Sequence, residues 1–169
     1  MSKKNDLKRK RQLESKSRFE SLCFQVDFEK KKKGIGNEFD QIINEELDAI
    51  RKMDLVSDLL SMSTLTKEIK NVLNISDEAD KNSFNGSYVA YLLGITDTQP
   101  INTDFKSPFI GSFDESQRYF QARVYYDNDV RNKVVDWIKS KNYTLSTRLG
   151  QPILKLSKMV IEISRVLKE

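Results

Sequence analysis

The sequence predicts an α+β protein, in which a helical amino-terminal region precedes a unit with a small antiparallel sheet. Between Tyr119 and Lys158 the apolar residues change from a period of two to a period of about 3.6 and back to two, as strands flanking a helix require. Before residue 75, apolar residues recur at helical spacing. We divide the chain into a basic arm and linker (1–36), a helical region (37–75) and an α/β core unit (86–169).

The arm is strongly basic at its start. Between residues 3 and 18 it carries eight Lys and Arg against two acidic residues and few apolar ones. Such a segment cannot bury enough surface to fold alone, so we expect a disordered tail or a frayed helix that orders on a partner. Apolar residues between Phe19 and Phe28 predict the last turns of a first helix. The lysine run 30–33, followed by Gly34-Ile35-Gly36, predicts an exposed linker.

Residues 37–75 give the clearest helical pattern. Asn37 can cap a helix, because its short side chain accepts hydrogen bonds from first-turn amides. Glu45, Glu46 and Asp48 are expected on the wet face of this helix. The opposite, apolar face consists of Phe39, Ile42, Ile43, Leu47 and Ile50. Further helical stretches reach Leu73, and the polar, acidic residues 74–85 predict a boundary.

The core unit is predicted to follow the order α-β-β-α-β-β-α. An apolar helix begins at Tyr88, strands cover about 108–113 and 119–126, and a helix starts at Val130. Two short strands, 144–149 and 153–157, flank a Gly150-Gln151-Pro152 turn. Apolar residues from Lys158 to Glu169 have mixed spacing and predict a closing helix.

Composition excludes several classes of chemistry. The chain has no histidine, which removes Ser-His and Cys-His nucleophilic catalysis and His-ligated metals. Its single cysteine, Cys23, excludes an internal disulfide and a Cys-rich zinc site. No run approaches the roughly 18 to 20 apolar residues of a membrane span, and the amino terminus lacks an apolar signal region. We therefore expect a soluble intracellular (cytoplasmic) protein with no membrane partner.

Charge is distributed unevenly along the chain. Residues 1–33 hold 12 Lys and Arg against 5 Asp and Glu, residues 34–129 hold 8 against 17, and residues 130–169 hold 9 against 3. Clustered cations are what binding to DNA or RNA requires, because each neutralised phosphate adds affinity. The alternative is that the basic ends pack against, or stay soluble beside, the acidic middle of this chain or of a partner. The predicted phosphate-contacting residues are Lys8, Arg9, Lys10, Arg11, Lys30, Lys31, Lys32, Lys33, Arg123, Arg148 and Lys155.

One motif carries a family resemblance. The stretch from Tyr88 to Pro100 is predicted to be an apolar helix with a glycine and a terminal carboxylate. It resembles the motif of the LAGLIDADG homing endonucleases, which Leu92, Gly94, Ile95 and Asp97 match. The resemblance implies an α-β-β-α-β-β-α unit, DNA binding by the strands and Mg²⁺ on the last motif carboxylate. That last position is Gln99, followed by Pro100 rather than glycine, so the resemblance implies the fold more than cleavage. Parts of 86–96 also resemble a short piece of the bacterial replicative DNA polymerase III α subunit.

Two further carboxylates stand together in Asp127-Asn128-Asp129. Carboxylates one residue apart after a strand can hold Mg²⁺. They also suit the start of a helix, where they cap it and oppose its dipole. We favour the cap, and keep Asp97, Asp127 and Asp129 as the ligands of a nuclease alternative.

The leading hypothesis is a non-catalytic nucleic-acid-binding protein of viral or mobile-element type, with no cofactor. A second hypothesis is a helical adaptor that binds another protein through the Phe39–Ile50 face, and a third is a Mg²⁺-dependent endonuclease. The sequence leaves open whether the chain forms a homodimer. Salt dependence separates the first two hypotheses, because phosphate binding weakens steeply with ionic strength whereas apolar docking barely responds.

Overall fold

A computed structural model describes residues 3–73, 84–97, 99–100, 107–110 and 119–165. The α+β prediction is confirmed: an amino-terminal helical region precedes a four-stranded sheet. The helices are α1 (Lys3–Lys32), α2 (Asp40–Lys52), α3 (Val56–Val72), α4 (Tyr88–Leu92) and α5 (Asn128–Ser140), with a short 3-10 turn at Asn37–Phe39. The strands are β1 (Phe120–Tyr126), β2 (Leu145–Arg148), β3 (Gln151–Lys155) and β4 (Met159–Arg165).

The sheet is mixed, with strand order β1-β4-β3-β2. The edge strand β1 runs parallel to β4, with Phe120 opposite Met159 and Tyr126 opposite Arg165. Strands β2, β3 and β4 are antiparallel neighbours, and a two-residue turn joins β2 to β3. Helix α5 follows β1 directly and packs on β1 and β4. A parallel pair needs such a crossover, because its second strand must start from the same end as the first.

Three details of the predicted core unit are wrong. The stretch predicted as a closing helix forms strand β4 up to Arg165, since Met159, Ile161 and Ile163 point to the core while the residues between them are more exposed. The sheet is mixed rather than antiparallel, because β4 pairs with β1. At the predicted strand 108–113, residues 108–110 form a turn and a bend, and 111–113 lie outside the described residues.

The first 33 residues also differ from expectation. Lys3–Lys32 form one continuous helix in place of a disordered or frayed arm and a linker. Leu22 and Val26 are buried, so the carboxy-terminal half of α1 is docked on α3 and α4. A docked half supplies the helix nucleus, and the basic half then adds one hydrogen bond for each further residue.

One continuous hydrophobic core joins the helices to the sheet. It runs from Leu22 on α1 to Ile163 on β4. Phe84 and Phe109 are fully buried and contact Phe120 of β1 at ring-centroid distances of 6.4 and 5.2 Å. The boundary predicted at residues 74–85 lies outside the described residues except for Phe84 and Asn85.

The proposed docking face on α2 is used internally. Ile43, Leu47 and Ile50 are buried in the core, Ile42 is partly buried against it, and the Phe39 ring lies tilted against the Tyr88 ring with 4.9 Å between their centres. An adaptor role through this face is therefore wrong, because the chain's own side chains cover it. None of the described helices has both the length and the apolar character needed to cross a bilayer.

Glu46 of α2 is fully buried, against the prediction of a wet position. Its carboxylate accepts hydrogen bonds from the Ser87 hydroxyl (2.6 Å) and from the backbone N–H groups of Tyr88 (3.0 Å) and Val89 (3.4 Å). These donors lie at the start of α4, where helix N–H groups lack intrahelical partners. Glu46 therefore caps α4 from another helix, together with Ser87, whose hydroxyl accepts from the Ala90 N–H.

Asp58 makes an equivalent contact between α3 and the sheet. Its buried carboxylate accepts hydrogen bonds from the backbone N–H groups of Ser157 (3.1 Å) and Lys158 (2.6 Å), in the turn between β3 and β4. Two N–H groups that face away from the ladder thus receive a partner. The contact fixes the sheet against the helical region.

Ionisation of Glu46 is expected to weaken the fold. Burial raises the pKa of the Glu46 carboxyl from 4.5 to about 7, although the hydrogen bonds from Ser87, Tyr88 and Val89 lower it. Between pH 4.5 and 7 the folded chain therefore holds a proton that the unfolded chain has lost, and this stabilising contribution disappears as pH rises through that window. Measured by urea unfolding, the free energy of unfolding of the wild type should fall relative to that of Glu46→Gln by up to about 3 kcal/mol between pH 4.5 and 8. Glu45→Gln, which changes the exposed neighbour, is the control. The difference between its free energy of unfolding and that of the wild type should not vary with pH. A difference for Glu46→Gln that does not vary with pH would contradict the assignment.

Removing the Asp58 carboxylate should leave the backbone N–H groups of Ser157 and Lys158 without this acceptor. We expect Asp58→Ala to lower the free energy of unfolding by about 1–3 kcal/mol. Asp48→Ala is the matched control, since Asp48 lies exposed on α2 and pairs only with Arg51 and Lys52 among the described residues. Equal urea midpoints for the two variants would show that the Asp58 contact is not stabilising.

Candidate nucleic-acid interface

The amino-terminal half of α1 projects from the body. Every residue from Lys3 to Arg18 is exposed, and the first buried side chain of the helix is Leu22. At 1.5 Å per residue the exposed stretch is roughly 24 Å long, half the length of the helix. Lys8, Arg9, Lys10 and Arg11 lie near its middle, where solvent surrounds them.

The basic residues of this arm include one aligned row. Lys4, Lys8, Arg11 and Arg18 recur at intervals of four, three and seven residues and so share one face of the helix. Leu22 follows Lys4 by 18 residues, which is five turns, so the row lies in line with the face that docks on the body. A polyanion bound along this row would therefore meet the body at the end of the arm.

The lysine run at the end of α1 is only partly available. The Lys30 ammonium is 12% exposed and contacts the Asp40 carboxylate at 2.6 Å and the Asn37 side-chain oxygen at 2.9 Å. Lys33 lies over the Tyr91 ring at 5.0 Å. Lys31 is exposed and pairs with Asp27 at 3.0 Å, one turn earlier. Exposed pairs of this kind are weak, so Lys31 and Lys32 retain the ability to contact phosphate.

The second cationic surface is the face of the sheet opposite α5, which we call the open face. Because side chains alternate along a strand, Gln121, Arg123 and Tyr125 of β1 lie on this face while Ala122 and Val124 enter the core. The strand register places Arg123, Glu162, Ile153 and Ser146 in one row across all four strands. The predicted residues Arg148 and Lys155 are exposed on the same face.

A groove of about 470 Å³ crosses the open face. Its lining includes the side chains of Gln121, Arg123, Tyr125, Arg148, Leu149 and Ile153. The Arg123 guanidinium donates to the Glu162 carboxylate and to the Tyr125 hydroxyl, at 3.3 Å for the latter. These two partners raise the pKa of Arg123, so the guanidinium keeps its charge. Glu162 balances that charge, which leaves Arg148 as the other cation of the groove.

Lys155 stands next to an aromatic side chain. Its ammonium lies 5.0 Å from the centre of the Tyr119 ring, which precedes β1. A cation over a ring is a favourable contact that still leaves the outer side of the ammonium in water. The open face therefore presents Lys155 with Tyr119 and Arg123 with Tyr125 as two cation–aromatic pairs.

The carboxylates of the nuclease alternative are separately engaged. Asp97 is exposed beyond α4 and pairs with the Lys70 ammonium at 3.0 Å. Asp127 occupies the N-cap position of α5 and Asp129 lies in its first turn, but the Asp127 side chain makes no capping hydrogen bond, so the structure has the predicted position without the predicted capping contact. The described part of the chain contains no group of three or more Asp, Glu, Cys or His residues able to hold a metal ion. The metal site stays a prediction.

Comparisons of the chain with protein-family models, with curated proteins and with solved structures find no match. The resemblance to homing endonucleases therefore rests on Leu92, Gly94, Ile95 and Asp97. Leu92 and Ile95 are buried, and Gly94 ends α4 with a φ of +76°, which suits glycine.

Several groove residues escaped the sequence prediction. Gln121 was identifiable, because it alternates with the buried residues of β1 just as Arg123 does. Leu149 was assigned to a strand, but it forms the turn between β2 and β3 with its neighbour Gly150. Nothing in the alternation of apolar residues indicates that a leucine would stand exposed at this turn.

Proposed function

We propose that the protein binds nucleic acid without catalysis, contacting phosphates through the projecting half of α1 and through the open face of the sheet. The observation that carries this proposal is the exposure of a basic helix over residues 3–18 with no protein surface against it among the described residues. Eight cations against two acidic residues repel one another along such a helix, and a phosphate backbone relieves that repulsion.

The position of the charges in the helix supports a ligand outside the chain. Lys3 and Lys4 stand in the first turn of α1, where the helix dipole disfavours cations. The only acidic residue of that turn is Asp6. An anion bound at this end would therefore offset both the dipole and the charge of the lysines.

The open face of the sheet supplies a second contact area. Arg148 and Lys155 are exposed on it, and Glu162 is the only carboxylate on its described strands. Phosphate contacts from two separate elements would position a nucleic acid more firmly than a single arm.

Protein binding is the second candidate function, through a different face from the one predicted. Phe24 and Phe28 are 72% and 57% exposed on α1 and border a groove of about 370 Å³ beside Leu60 and Leu92. Exposed aromatic residues beside a groove of mixed polar and apolar lining are common at interfaces. A partner held there should bind the wild type at both 50 and 500 mM salt and be lost in Phe24→Ser/Phe28→Ser.

Neutralising the arm should weaken nucleic-acid binding and its salt dependence together. We expect the quadruple variant with Gln at Lys8, Arg9, Lys10 and Arg11 to reduce the slope of log K against log salt by about one for each lost phosphate contact. Fluorescence anisotropy with labelled duplex and single-stranded oligonucleotides between 50 and 200 mM salt measures this slope. The charge-matched control places Gln at Lys52, Lys133, Lys139 and Lys158, all exposed elsewhere. If the two variants lose nucleic-acid affinity equally, the effect of the arm variant comes from net charge alone. If the wild type does not bind at 50 mM salt, the proposal is refuted.

Removing the carboxylate of the open face should act in the opposite direction. Glu162→Gln removes the carboxylate that pairs with Arg123 and raises the net positive charge of the open face by one, so we expect tighter binding and a steeper slope of log K against log salt, by about one. Asp136→Asn, on the exposed side of α5, changes net charge equally and should have a smaller effect. If both variants tighten binding to the same extent, the open face is not the contact surface.

A further inference from the structure

The turn between β2 and β3 has an unusual residue at its tip. Arg148 pairs with Gln151, so Leu149 and Gly150 form a two-residue hairpin loop, with φ values of +51° and +78°. Such turns favour Asn-Gly or Asp-Gly, because both central residues adopt the left-handed conformation. A leucine in that conformation is strained by its own Cβ.

Leu149 is also the most exposed large apolar side chain in the described part of the chain, at 97%. The other non-glycine residues with positive φ there are Asp54 and Asn142, residue types that tolerate this conformation. Packing does not offset the strain at Leu149, since its side chain contributes nothing to the core. A strained, exposed apolar residue at a defined place points to a contact made with a ligand.

The surroundings of Leu149 indicate the chemistry of that ligand. The groove that it borders has an apolar floor of Ile153 and Val160, with Tyr125 and Arg123 on β1 and Arg148 next to Leu149 on β2. Tyr and Arg side chains present planar groups on which bases stack, and the cations attract the phosphates that link those bases. A duplex keeps its base faces covered by stacking, so only unpaired bases offer a face that packs on the apolar floor of this groove, between Arg148 on one side and the Arg123–Glu162 pair on the other.

We propose that the open face is a binding site for single-stranded nucleic acid, in which an unpaired base enters the groove and packs against Leu149. This inference rests on the proposed nucleic-acid function and adds a preferred form and a contact residue. The arm supplies phosphate contacts to single strands and duplexes alike, whereas the groove distinguishes them. Arg148 contacts a phosphate next to the base held by Leu149.

Substitution of Leu149 separates a binding role from a structural one. Leu149→Asn places the preferred Asn-Gly pair in the turn, so the melting temperature should stay equal or rise. Binding to a single-stranded 20-nucleotide probe should nevertheless weaken about fivefold, as expected for the loss of a partly buried leucine. Leu149→Phe should retain single-strand binding, because a ring can replace the aliphatic contact.

The test compares mixed-sequence single-stranded DNA, single-stranded RNA and the corresponding DNA duplex at one salt concentration. Leu13→Gln is the matched control, since Leu13 is an exposed leucine on the arm. Weaker single-strand binding by Leu149→Asn, with duplex binding unchanged, supports the inference, and the two single-stranded probes distinguish DNA from RNA. If Leu149→Asn binds single strands as the wild type does, the inference fails while the arm-dependent function stands. If the wild type binds none of the probes, the proposed function fails and the inference with it.

Discussion

A carboxylate removed from water must be given hydrogen-bond donors, and this requirement holds the molecule together at two places. Glu46 on α2 and Asp58 on α3 take their donors from segments 41 and 100 residues further along the chain. All of these bonds except the one from the Ser87 hydroxyl come from a backbone N–H, so they fix the position of the chain as well as lowering its energy. Through Asp58 the turn between β3 and β4 is held against the helices, and through Glu46 the short α4 begins at one defined residue.

Internal contacts also determine where charge remains exposed on the surface. Four carboxyl groups of the acidic middle are held by internal contacts: Asp40 pairs with Lys30, Asp97 pairs with Lys70, and Glu46 and Asp58 accept hydrogen bonds from backbone donors. The basic excess is left at the exposed half of α1 and at the sheet. An uneven charge pattern in sequence thus becomes two cationic surfaces in space.

The sequence predicts most elements whose pattern is local. The apolar stripe of α2, the period-two alternation of β1 and the helix after Asp127 each depend on residues within one element, and each is found. What fails depends on distant partners. Strand β4 was mistaken for a helix because its alternation is short and is followed by Val166 and Leu167, and its parallel neighbour lies almost 40 residues earlier. The sequence around Glu46 does not indicate that this residue is buried, since its hydrogen-bond donors belong to another helix.

For the candidate site, too, the sequence predicts the features that depend on local pattern and misses those that depend on distant contacts. The arm follows from charge alone, and Arg123, Arg148 and Lys155 do fall on one face of the sheet. The pairing of Arg123 with Glu162 required the register of β1 and β4, and the exposure of Leu149 required the turn geometry. Lys30 was expected to be available, but the fold brings Asp40 against it.

The strand order has a consequence for synthesis. Strand β4 is the last of the four to leave the ribosome, yet it occupies a central position between β1 and β3. Until it emerges, β1 has no neighbour in the sheet and the β2–β3 hairpin has no surface to join. The nascent chain therefore carries an unpaired hydrophobic strand while α5 and the hairpin are made, and such edges are the segments that chaperones shield.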